Sequence, residues 1–337
     1  MTVDTAAPGA VTAVEVAAAA QLACLLEASA PKPGNVSPAR HFSDARYEDF
    51  LASAVAIGPA IADAGTHPLG VTIHRAVEAT ARWTRSNTNL GIVLLLAPLA
   101  RAALRTILGE PDSTRERSVR LQADQGPAKA GRYDGEADRS SANAGHYGRE
   151  TATLREAMRT VLSTTTVDDA QHVYRAIRLA SPGGLGRAES QDVAEDPSVT
   201  LLEAMQLAAH RDGIAREYAS TFETTFGIGA PALVRARGDG LSWNDAVVET
   251  FLTLLALAPD THLMRRGGAT VATEVSQRAA DVLAAGGVRS LTGRSAIDEM
   301  DRALRDARNM SNPGTSADLT AAAIFVVLLA GGWTATH

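Results

Sequence analysis

The sequence predicts an all-α fold, and three observations lead to that prediction. Apolar residues recur with the 3.6-residue period of a helix along most of the 337 residues, whereas the strict alternation of a strand is rare. Alanine is abundant, which favours helices and lets them approach closely. Only 4% of the residues are aromatic, so Ala, Leu, Val and Ile must build the core. We therefore expect one globular domain of about eleven helices over residues 11–332.

The predicted helices are the periodic apolar segments between clusters of Gly, Pro, Ser and Asn. In chain order they are Val11–Ser29, Tyr47–Asp63, Leu69–Arg85, Leu90–Leu108, Glu150–Leu162, Val167–Leu179, Val199–Thr221, Ser242–Leu257, Ala269–Ala285, Ser295–Asn309 and Ser316–Leu329. Residues 110–148 differ because they are polar, rich in Gly and Ser, and without an apolar period. Similar apolar helices lie on both sides, so we interpret this segment as a flexible insertion in one domain rather than a linker between two.

Composition and charge exclude several classes of protein. A net charge of −6 gives no general attraction to nucleic acid or to an anionic membrane. The single cysteine, Cys24, lies among apolar residues and cannot form an internal disulfide, which favours a reducing compartment. The N-terminus lacks the basic region of a secretory signal, and the longest apolar run, residues 319–333, is shorter than a membrane span. We expect a cytoplasmic protein, and its oligomeric state stays open, a homodimer included.

Four polar segments interrupt the apolar helices, and the first follows the first helix. It holds Lys32 between two prolines, then Gly34 and Asn35, and continues to His41 and Asp44. The prolines fix an extended backbone, and the glycine permits a turn or the close approach of a ligand. An ordinary helix-ending loop explains these residues, but a rigidly held lysine beside Asn and Asp also suits a polyphosphate.

The second polar segment, residues 86–91, directly precedes a long apolar helix. One Ser, Thr or Asn is sufficient to cap that helix. Asn87 and Asn89 together exceed what one cap needs, and Gly91 follows them in the first turn. The N-terminus of a helix is also a natural binding site for anions.

The third polar segment, residues 259–268, carries Asp260, Arg265 and Arg266 before a pair of glycines. Carboxylates suit Mg²⁺ and arginine forks suit phosphate oxygens, so this segment could hold a magnesium-bound phosphate. The alternative is a capped loop whose arginines point into water. A separate pair, Asp212 and Arg216, has the spacing of an ion pair on one helix.

The fourth polar segment, residues 312–319, contains Asn312 and Asp318 before the most apolar helix of the chain. A helix cap with an acid in the first turn needs no function. We nevertheless expect a carboxylate at this place to face a polar pocket or a cation. The histidines have no spacing typical of a zinc site.

In order and spacing the four segments resemble the triphosphoribosyl-dephospho-CoA synthase family of all-helical transferases. Its Pro-Lys-Pro-Gly motif with a later Asp and Phe corresponds to residues 31–34, Asp44 and Phe50. Its Asn-Thr-x-x-Gly, Asp-Thr…Arg-Gly-Gly and Pro-Gly-x-x-Ala-Asp-Leu motifs correspond to residues 87–91, 260–268 and 313–319. Departures at Asn35 and His41 are typical of a divergent branch of the family.

The resemblance implies transfer of the triphosphoribosyl group of ATP to the ribose hydroxyl of dephospho-CoA, or of another ribosyl acceptor, with release of adenine. Mg²⁺ would accompany ATP. Loss of adenine builds positive charge on the ribose, which calls for carboxylates near the anomeric carbon and a base near the acceptor hydroxyl. We therefore interpret the charged residues as triphosphate ligands (Lys32, Arg265, Arg266), as catalytic or magnesium-binding acids (Asp260, Asp318) and as the base (Asp44). The remaining candidates for substrate binding are Gly34, Asn35, His41, Asn87, Asn89, Gly91 and Asn312.

Two other interpretations use the same residues. A magnesium-dependent nucleotide or glycosidic-bond hydrolase on a helical fold would replace the acceptor with water. A non-enzymatic helical binding module would leave the four polar segments apart in space.

Overall fold

The computed structural model describes residues 11–108, 137–305 and 310–333. These residues form helices and one isolated antiparallel bridge between Ser37 and Arg40, with no β-strand among them. The all-α prediction is confirmed. In chain order the α-helices are α1 (Ala13–Ser29), α2 (Tyr47–Ala56), α3 (Gly58–Ala62), α4 (Leu69–Ala81), α5 (Leu90–Leu108), α6 (Ala137–Ser163), α7 (Val167–Ala180), α8 (Leu201–Ala208), α9 (Gly213–Ser220), α10 (Ala230–Gly238), α11 (Trp243–Leu257), α12 (Thr261–Gly267), α13 (Ala269–Ala284), α14 (Leu291–Leu304) and α15 (Gly314–Leu329).

The core is built around α15, the most apolar helix of the chain. Nearly all its side chains from Thr315 to Val327 are buried, and α1, α5, α10 and α11 pack around it. Small residues such as Ala321, Ala322 and Ala323 have no exposed surface and let these neighbours approach closely. The first turn of α15 therefore lies inside the protein, where a polar side chain must face either another polar group or a cavity.

Local sequence explains how α1 begins and ends. Thr12 and Glu15 form a reciprocal capping box at its N-terminus. The helix ends at Ser29 because the following Pro31 disfavours helical backbone at Ala30, which is extended with φ −74° and ψ 132°. This stop directs residues 31–36 across the end of α14 and toward α15.

The structure has more helices than the eleven predicted, because two predicted helices are broken. The predicted helix 47–63 divides at Ile57, where Pro59 in the next turn lacks a backbone N–H. The predicted helix 199–221 divides before Asp212, which caps α9 by accepting a hydrogen bond from the backbone N–H of Ala215 at 3.0 Å.

Two further helices, α10 and α12, were not predicted. A proline lies in the first turn of α10, a position where it is tolerated. The segment that becomes α12 was interpreted as a loop because it is short and ends in two glycines. Its N-cap is Asp260.

Part of the predicted insertion is helical. Residues 109–136 lie outside the described residues, but residues 137–148 belong to α6, which packs against α5. The periodic signal of this helix was expected only from residue 150, since its first turns are rich in Gly, Ser and charged residues.

In the described part of the chain, no individual helix combines the length and apolar composition needed to cross a membrane. α11 and α12 satisfy these requirements only as a pair, and the two helices are bent by 64° at the break between them.

Candidate functional site

A cavity of about 760 Å³ collects residues from all four polar segments. They reach it from the ends of α1, α5, α12 and α15, and include Asn35, Asn87, Arg265 and Asp318. The binding-module interpretation is wrong in its one structural prediction, since the segments do not lie apart.

Asp318 extends from the first turn of α15 into this cavity. Its carboxylate has no hydrogen bond or ion pair within the ranges that the structure describes. Gly91 on α5 provides the space, because a Cβ atom at position 91 would overlap with Oδ2 of Asp318. Burial raises the pKa of Asp318 well above its ordinary value, and the carboxylates of Glu27, Asp260 and Asp212 raise it further, against an opposing effect of Arg265. The site therefore favours a proton on Asp318.

Glu27, on the last turn of α1, also lines the cavity and is 2% exposed. Nζ of Lys32 lies 3.0 Å from its Oε1. The same ammonium donates to the backbone carbonyl oxygen of Glu27 and to that of Ala30, the latter at 3.3 Å. The ammonium thus has one carboxylate partner and two carbonyl acceptors, and Lys32 is not among the residues that line the cavity. Lys32 was expected to hold the triphosphate, whereas the structure places it behind Glu27 as that residue's partner.

Arg265 and Asp212 form an ion pair on the cavity wall. Nη1 of Arg265 lies 2.5 Å from Oδ2 of Asp212, and Oδ1 of Asp212 caps α9. Nε of Arg265 is buried and without a hydrogen-bond partner among the residues described. The expected pair between Asp212 and Arg216 is wrong, because Nε of Arg216 donates instead to the carbonyl oxygen of Ala209. The carboxylates of Glu27, Asp212 and Asp318 line this part of the cavity, and we call them the acidic cluster. The structure thus brings the guanidinium group of Arg265 beside the acidic cluster.

Four asparagine side chains also belong to the cavity wall: Asn35, Asn87, Asn89 and Asn312. Nδ2 of Asn35 donates to Oδ1 of Asn312 at 2.9 Å, which joins the first and fourth segments. Nδ2 of Asn89 donates to Oγ1 of Thr80 at 3.1 Å. Oδ1 of Asn87 accepts from the backbone N–H of Leu90 at 3.1 Å, at the start of α5. All four asparagines line the cavity.

His262 adds a ring nitrogen to the same wall. Its Nδ1 lies 2.9 Å from the carbonyl oxygen of Asn312, so Nδ1 carries a proton and donates. Burial lowers the pKa of His262, which favours the neutral ring with Nε2 as an acceptor.

Asp260 does not reach the cavity, although it was expected to act in catalysis or to bind metal. It is 3% exposed and does not line the cavity. Its Oδ1 accepts from the backbone N–H of Leu263 at 3.0 Å. Its Oδ2 accepts from the backbone N–H and the hydroxyl of Ser316, at 2.7 and 2.8 Å. The carboxylate therefore joins the starts of α12 and α15, and the structure gives it a structural position.

Four other candidates lie outside the cavity lining: Gly34, His41, Asp44 and Arg266. Asp44 and His41 are exposed, since the chain leaves the site after Val36 and returns only with α2. Nδ1 of His41 accepts from the backbone N–H of Tyr47 at 3.2 Å.

The local backbone conformation and packing explain why a glycine is needed at position 34. Its φ of +73° is unfavourable for other residues, and a Cβ atom there would lie 2.9 Å from Cβ of Leu304. Its N–H donates to Oδ1 of Asp301 at 2.9 Å, which fixes the loop on α14.

The described residues contain no group of three or more His, Cys, Asp or Glu arranged to hold a metal ion. Both oxygens of Asp260 are occupied by backbone and hydroxyl donors, so Asp260 and Asp318 do not fit a resident magnesium site.

The cavity is also lined by apolar side chains of α7 and α8, namely Val173, Ile177, Leu201 and Met205. The segment of residues 182–193 contributes further lining residues, among them the charged Arg187 and Glu189. In this segment Asp192 accepts hydrogen bonds from the backbone N–H groups of Ala188 and Ala194, which lower its pKa.

Sequence reasoning missed Glu27 and His262, and it assigned Asp212 to the wrong partner. A signal for Glu27 was present, because it is the only acid in the last three turns of α1 and lies five residues before Lys32.

Three comparisons show which known proteins this chain is similar to. The family model described as CitG, ATP:dephospho-CoA triphosphoribosyl transferase, matches residues 13–337. A Pseudomonas putida protein named probable 2-(5''-triphosphoribosyl)-3'-dephosphocoenzyme-A synthase is 37% identical over 144 residues, 42% of this chain and 51% of that protein. A Klebsiella pneumoniae protein named 2-(5''-triphosphoribosyl)-3'-dephosphocoenzyme-A synthase is 37% identical over 101 residues, 30% of this chain and 35% of that protein. The matched part thus spans about half the length of these curated relatives, or less.

A solved structure has the same fold. The crystal structure of an Archaeoglobus fulgidus protein named "putative triphosphoribosyl-dephospho-CoA synthase" superposes with a TM-score of 0.56 at 26% sequence identity. The superposition covers 84% of this chain and 99% of that one. Because the family model matches nearly the whole sequence, the chain belongs to the ATP:dephospho-CoA triphosphoribosyl transferase family.

Proposed function

We propose that this protein transfers the triphosphoribosyl group of ATP to the ribose hydroxyl of dephospho-CoA, or of a related ribosyl acceptor, and releases adenine. The observation that carries the proposal is the carboxylate of Asp318, which has no partner among the described residues, in a cavity that also holds Arg265. Membership of the family supports the choice of substrates. The volume of about 760 Å³ lies within the usual range for small-molecule sites.

The chemistry of the leaving group fits the acidic end of the cavity. The bond between the anomeric carbon of ATP and N9 of adenine breaks, and its electron pair leaves with adenine. Asp318, whose raised pKa favours its protonated form, supplies a proton to the departing base. The carboxylate that remains, together with Glu27, stabilises the positive charge on the ribose.

The triphosphate stays on the migrating ribose and acts as its handle. Arg265 is the cationic side chain of the cavity wall beside the acidic cluster, and its guanidinium has donors that suit phosphate oxygens. The amides of Asn35, Asn87 and Asn89 supply neutral polar contacts for hydroxyls and phosphates. We propose that Mg²⁺ enters as part of the Mg-ATP substrate rather than as a resident ion.

The burial of the Cys24 thiol supports a reducing compartment. Burial raises the pKa of Cys24 far above its ordinary value, so the thiol stays protonated and unreactive. We propose that the enzyme works in the cytoplasm.

The test is mass spectrometry of the products formed from Mg-ATP and dephospho-CoA by the purified chain. We expect free adenine and a product whose mass equals dephospho-CoA plus the triphosphoribosyl group, in equal amounts. Incubation with Mg-ATP alone is the control. Adenine release at the same rate without an acceptor would support the hydrolase instead, and no adenine from ATP with any acceptor would contradict both enzymes.

A further inference from the structure

We propose that Glu27 is the general base that takes the proton from the acceptor hydroxyl, and that Lys32 is the positioning residue that holds it. The inference rests on the proposed function, because it assigns a step in that reaction. The contacts of the two side chains carry it.

Lys32 is buried, and its ammonium group contacts Glu27 and a neighbouring backbone carbonyl. The Lys32 side chain has no exposed surface, and Nζ lies 3.0 Å from Oε1 of Glu27. The other two ammonium protons have backbone carbonyl acceptors, at Glu27 itself and at Ala30. A buried lysine held by these three oxygens cannot bind substrate without losing its contacts. It can, however, fix the direction of the carboxylate with which it is paired.

The other carboxylate oxygen of Glu27, Oε2, is available to a substrate. It has no hydrogen-bond partner among the described residues, and Glu27 lines the cavity. Glu217 is, by contrast, a buried carboxylate with a structural role. Glu217 has no exposed surface, does not line the cavity, and accepts hydrogen bonds from the backbone N–H groups of Thr224 and Thr225 and from the Thr225 hydroxyl, at 3.0, 2.8 and 2.6 Å. Glu27 keeps one oxygen available, as a base requires.

Glu27 and Asp318 have different charged neighbours. Lys32 is its cationic partner, and Cys24 on the same helix keeps its proton because burial raises the pKa of the thiol. Asp318 lies across the cavity end, and its pKa is raised by burial and by Glu27. Around Asp318 the further charged groups are Asp212, Asp260 and Arg265. The lysine is paired with Glu27 and not with Asp318, so the two carboxylates differ: one is suited to accept a proton and the other to donate one.

The proposed step balances as follows. Oε2 of Glu27 accepts the proton of the acceptor hydroxyl while the hydroxyl oxygen bonds to the anomeric carbon of ATP. The bond from that carbon to N9 breaks, and its electron pair goes to adenine, which takes the proton of Asp318. Glu27 ends protonated and Asp318 ionised, and proton exchange through solvent after product release restores both.

The first experiment is Glu27→Gln, which keeps the shape of the side chain but cannot accept the proton. With Mg-ATP and dephospho-CoA, we expect kcat to fall by about 10²–10⁴-fold, the range for loss of a general base. ATP affinity, measured by calorimetry, should change by less than about threefold. The double variant E27Q/K32M covers the case in which the single variant does not fold, because it also removes the unpaired buried ammonium, and it should be folded and equally inactive.

The second experiment separates a positioning role of Lys32 from a purely structural one. In Lys32→Met the ion pair that orients the Glu27 carboxylate is lost, so kcat should fall by about tenfold or more while ATP affinity, measured by calorimetry, changes by less than about threefold. The matched control is Glu217→Gln, which also alters a buried carboxylate. We expect it to lower the melting temperature and to leave kcat within about threefold of the wild type.

The outcomes distinguish the inference from the proposed function. If the wild-type chain makes no triphosphoribosyl product, the proposed function is wrong. If the wild type makes it and folded E27Q or E27Q/K32M retains more than about a tenth of kcat, the assignment of Glu27 as the base is wrong and the proposed function stands. A kcat within about threefold of the wild type in folded Lys32→Met would overturn the role of Lys32.

Discussion

The carboxylate of Asp318 occupies the space that a side chain at position 91 would fill. α5 and α15 approach at this point, and a Cβ atom on Gly91 would overlap with Oδ2 of Asp318. Glycine in a helix costs up to about 1 kcal/mol relative to alanine. Gly91 therefore has a packing reason, which is the approach of a carboxylate to the start of α5.

We expect Gly91→Ala to reduce activity by displacing Asp318. The methyl group has no room unless the carboxylate moves, and a displacement of about 1 Å at a reacting group can cost on the order of 10²-fold in rate. The measurement is kcat/KM for dephospho-CoA at saturating Mg-ATP. The matched control is Gly238→Ala near the end of α10, where a Cβ atom would meet no other atom within 4 Å. Equal activity of Gly91→Ala and the wild type would contradict the placement of Asp318 in the reaction.

Asp318→Asn should make the protein more stable at neutral pH while abolishing most of its activity. The pKa of Asp318 is raised in the folded state, so the folded protein binds more protons than the unfolded chain between the ordinary and the raised value. The stability of the wild type thus falls as pH rises through that interval, and the asparagine variant lacks this loss. We expect the difference in unfolding free energy, variant minus wild type, to grow from pH 4 to pH 8.

The measurement is urea unfolding of both proteins at several pH values, with kcat at neutral pH. All other titrating groups are shared, so the difference reports Asp318. A difference that stays constant with pH would show that Asp318 has an ordinary pKa in the folded protein.

Asp260→Asn should act mainly on stability. The substitution weakens a helix cap and the two hydrogen bonds that Asp260 accepts from Ser316, which would lower the free energy of unfolding by about 1–3 kcal/mol. Ser242→Ala is the comparison, since it removes only the cap of α11, worth about 1 kcal/mol. Thermal unfolding checks the order, and activity assayed below the transition should stay within about tenfold of the wild type. A loss of kcat comparable to that of Asp318→Asn would show that Asp260 takes part in catalysis.

The contrast between Asp260 and Asp318 explains what the sequence could predict. Both acids stand near helix starts in polar segments, and both were correctly located as points where charge enters an apolar core. Their directions depend on residues far along the chain: the partner of Asp260 is Ser316, 56 residues away, and the space for Asp318 is provided by Gly91. Periodicity predicts elements and segments, but such long-range packing decides which carboxylate faces the cavity.

The broken helices have a similar explanation. Apolar periodicity continues across Ile57 and across residues 209–212, so the pattern alone predicted one helix in each case. Backbone chemistry at Pro59 and the cap at Asp212 interrupt the helices without changing that pattern. The second break matters for the site, since it turns Asp212 toward Arg265.

Asp44→Asn tests the base that the sequence suggested. Asp44 is exposed and does not line the cavity, in contrast to Glu27. We expect kcat and the pH profile of the variant to stay within about threefold of the wild type, because a surface substitution away from the site rarely changes more. Loss of transfer with retained ATP binding would mean that residues 41–46 move into the site during the reaction.

Arg265→Lys should weaken binding of ATP more than it slows the chemical step. A lysine keeps the charge but lacks the fork that contacts Asp212 and phosphate oxygens together, so we expect KM for ATP to rise about tenfold or more. Asp212→Asn removes the partner charge, and the double variant completes a mutant cycle for ATP affinity. If Asp212 orients Arg265, the two single effects will not add, and the coupling should reach about 0.5–3 kcal/mol. Additive effects would mean that the guanidinium holds its position without Asp212. An unchanged KM in Arg265→Lys would remove Arg265 from the triphosphate site, because no lysine could reproduce a bidentate contact that the reaction uses.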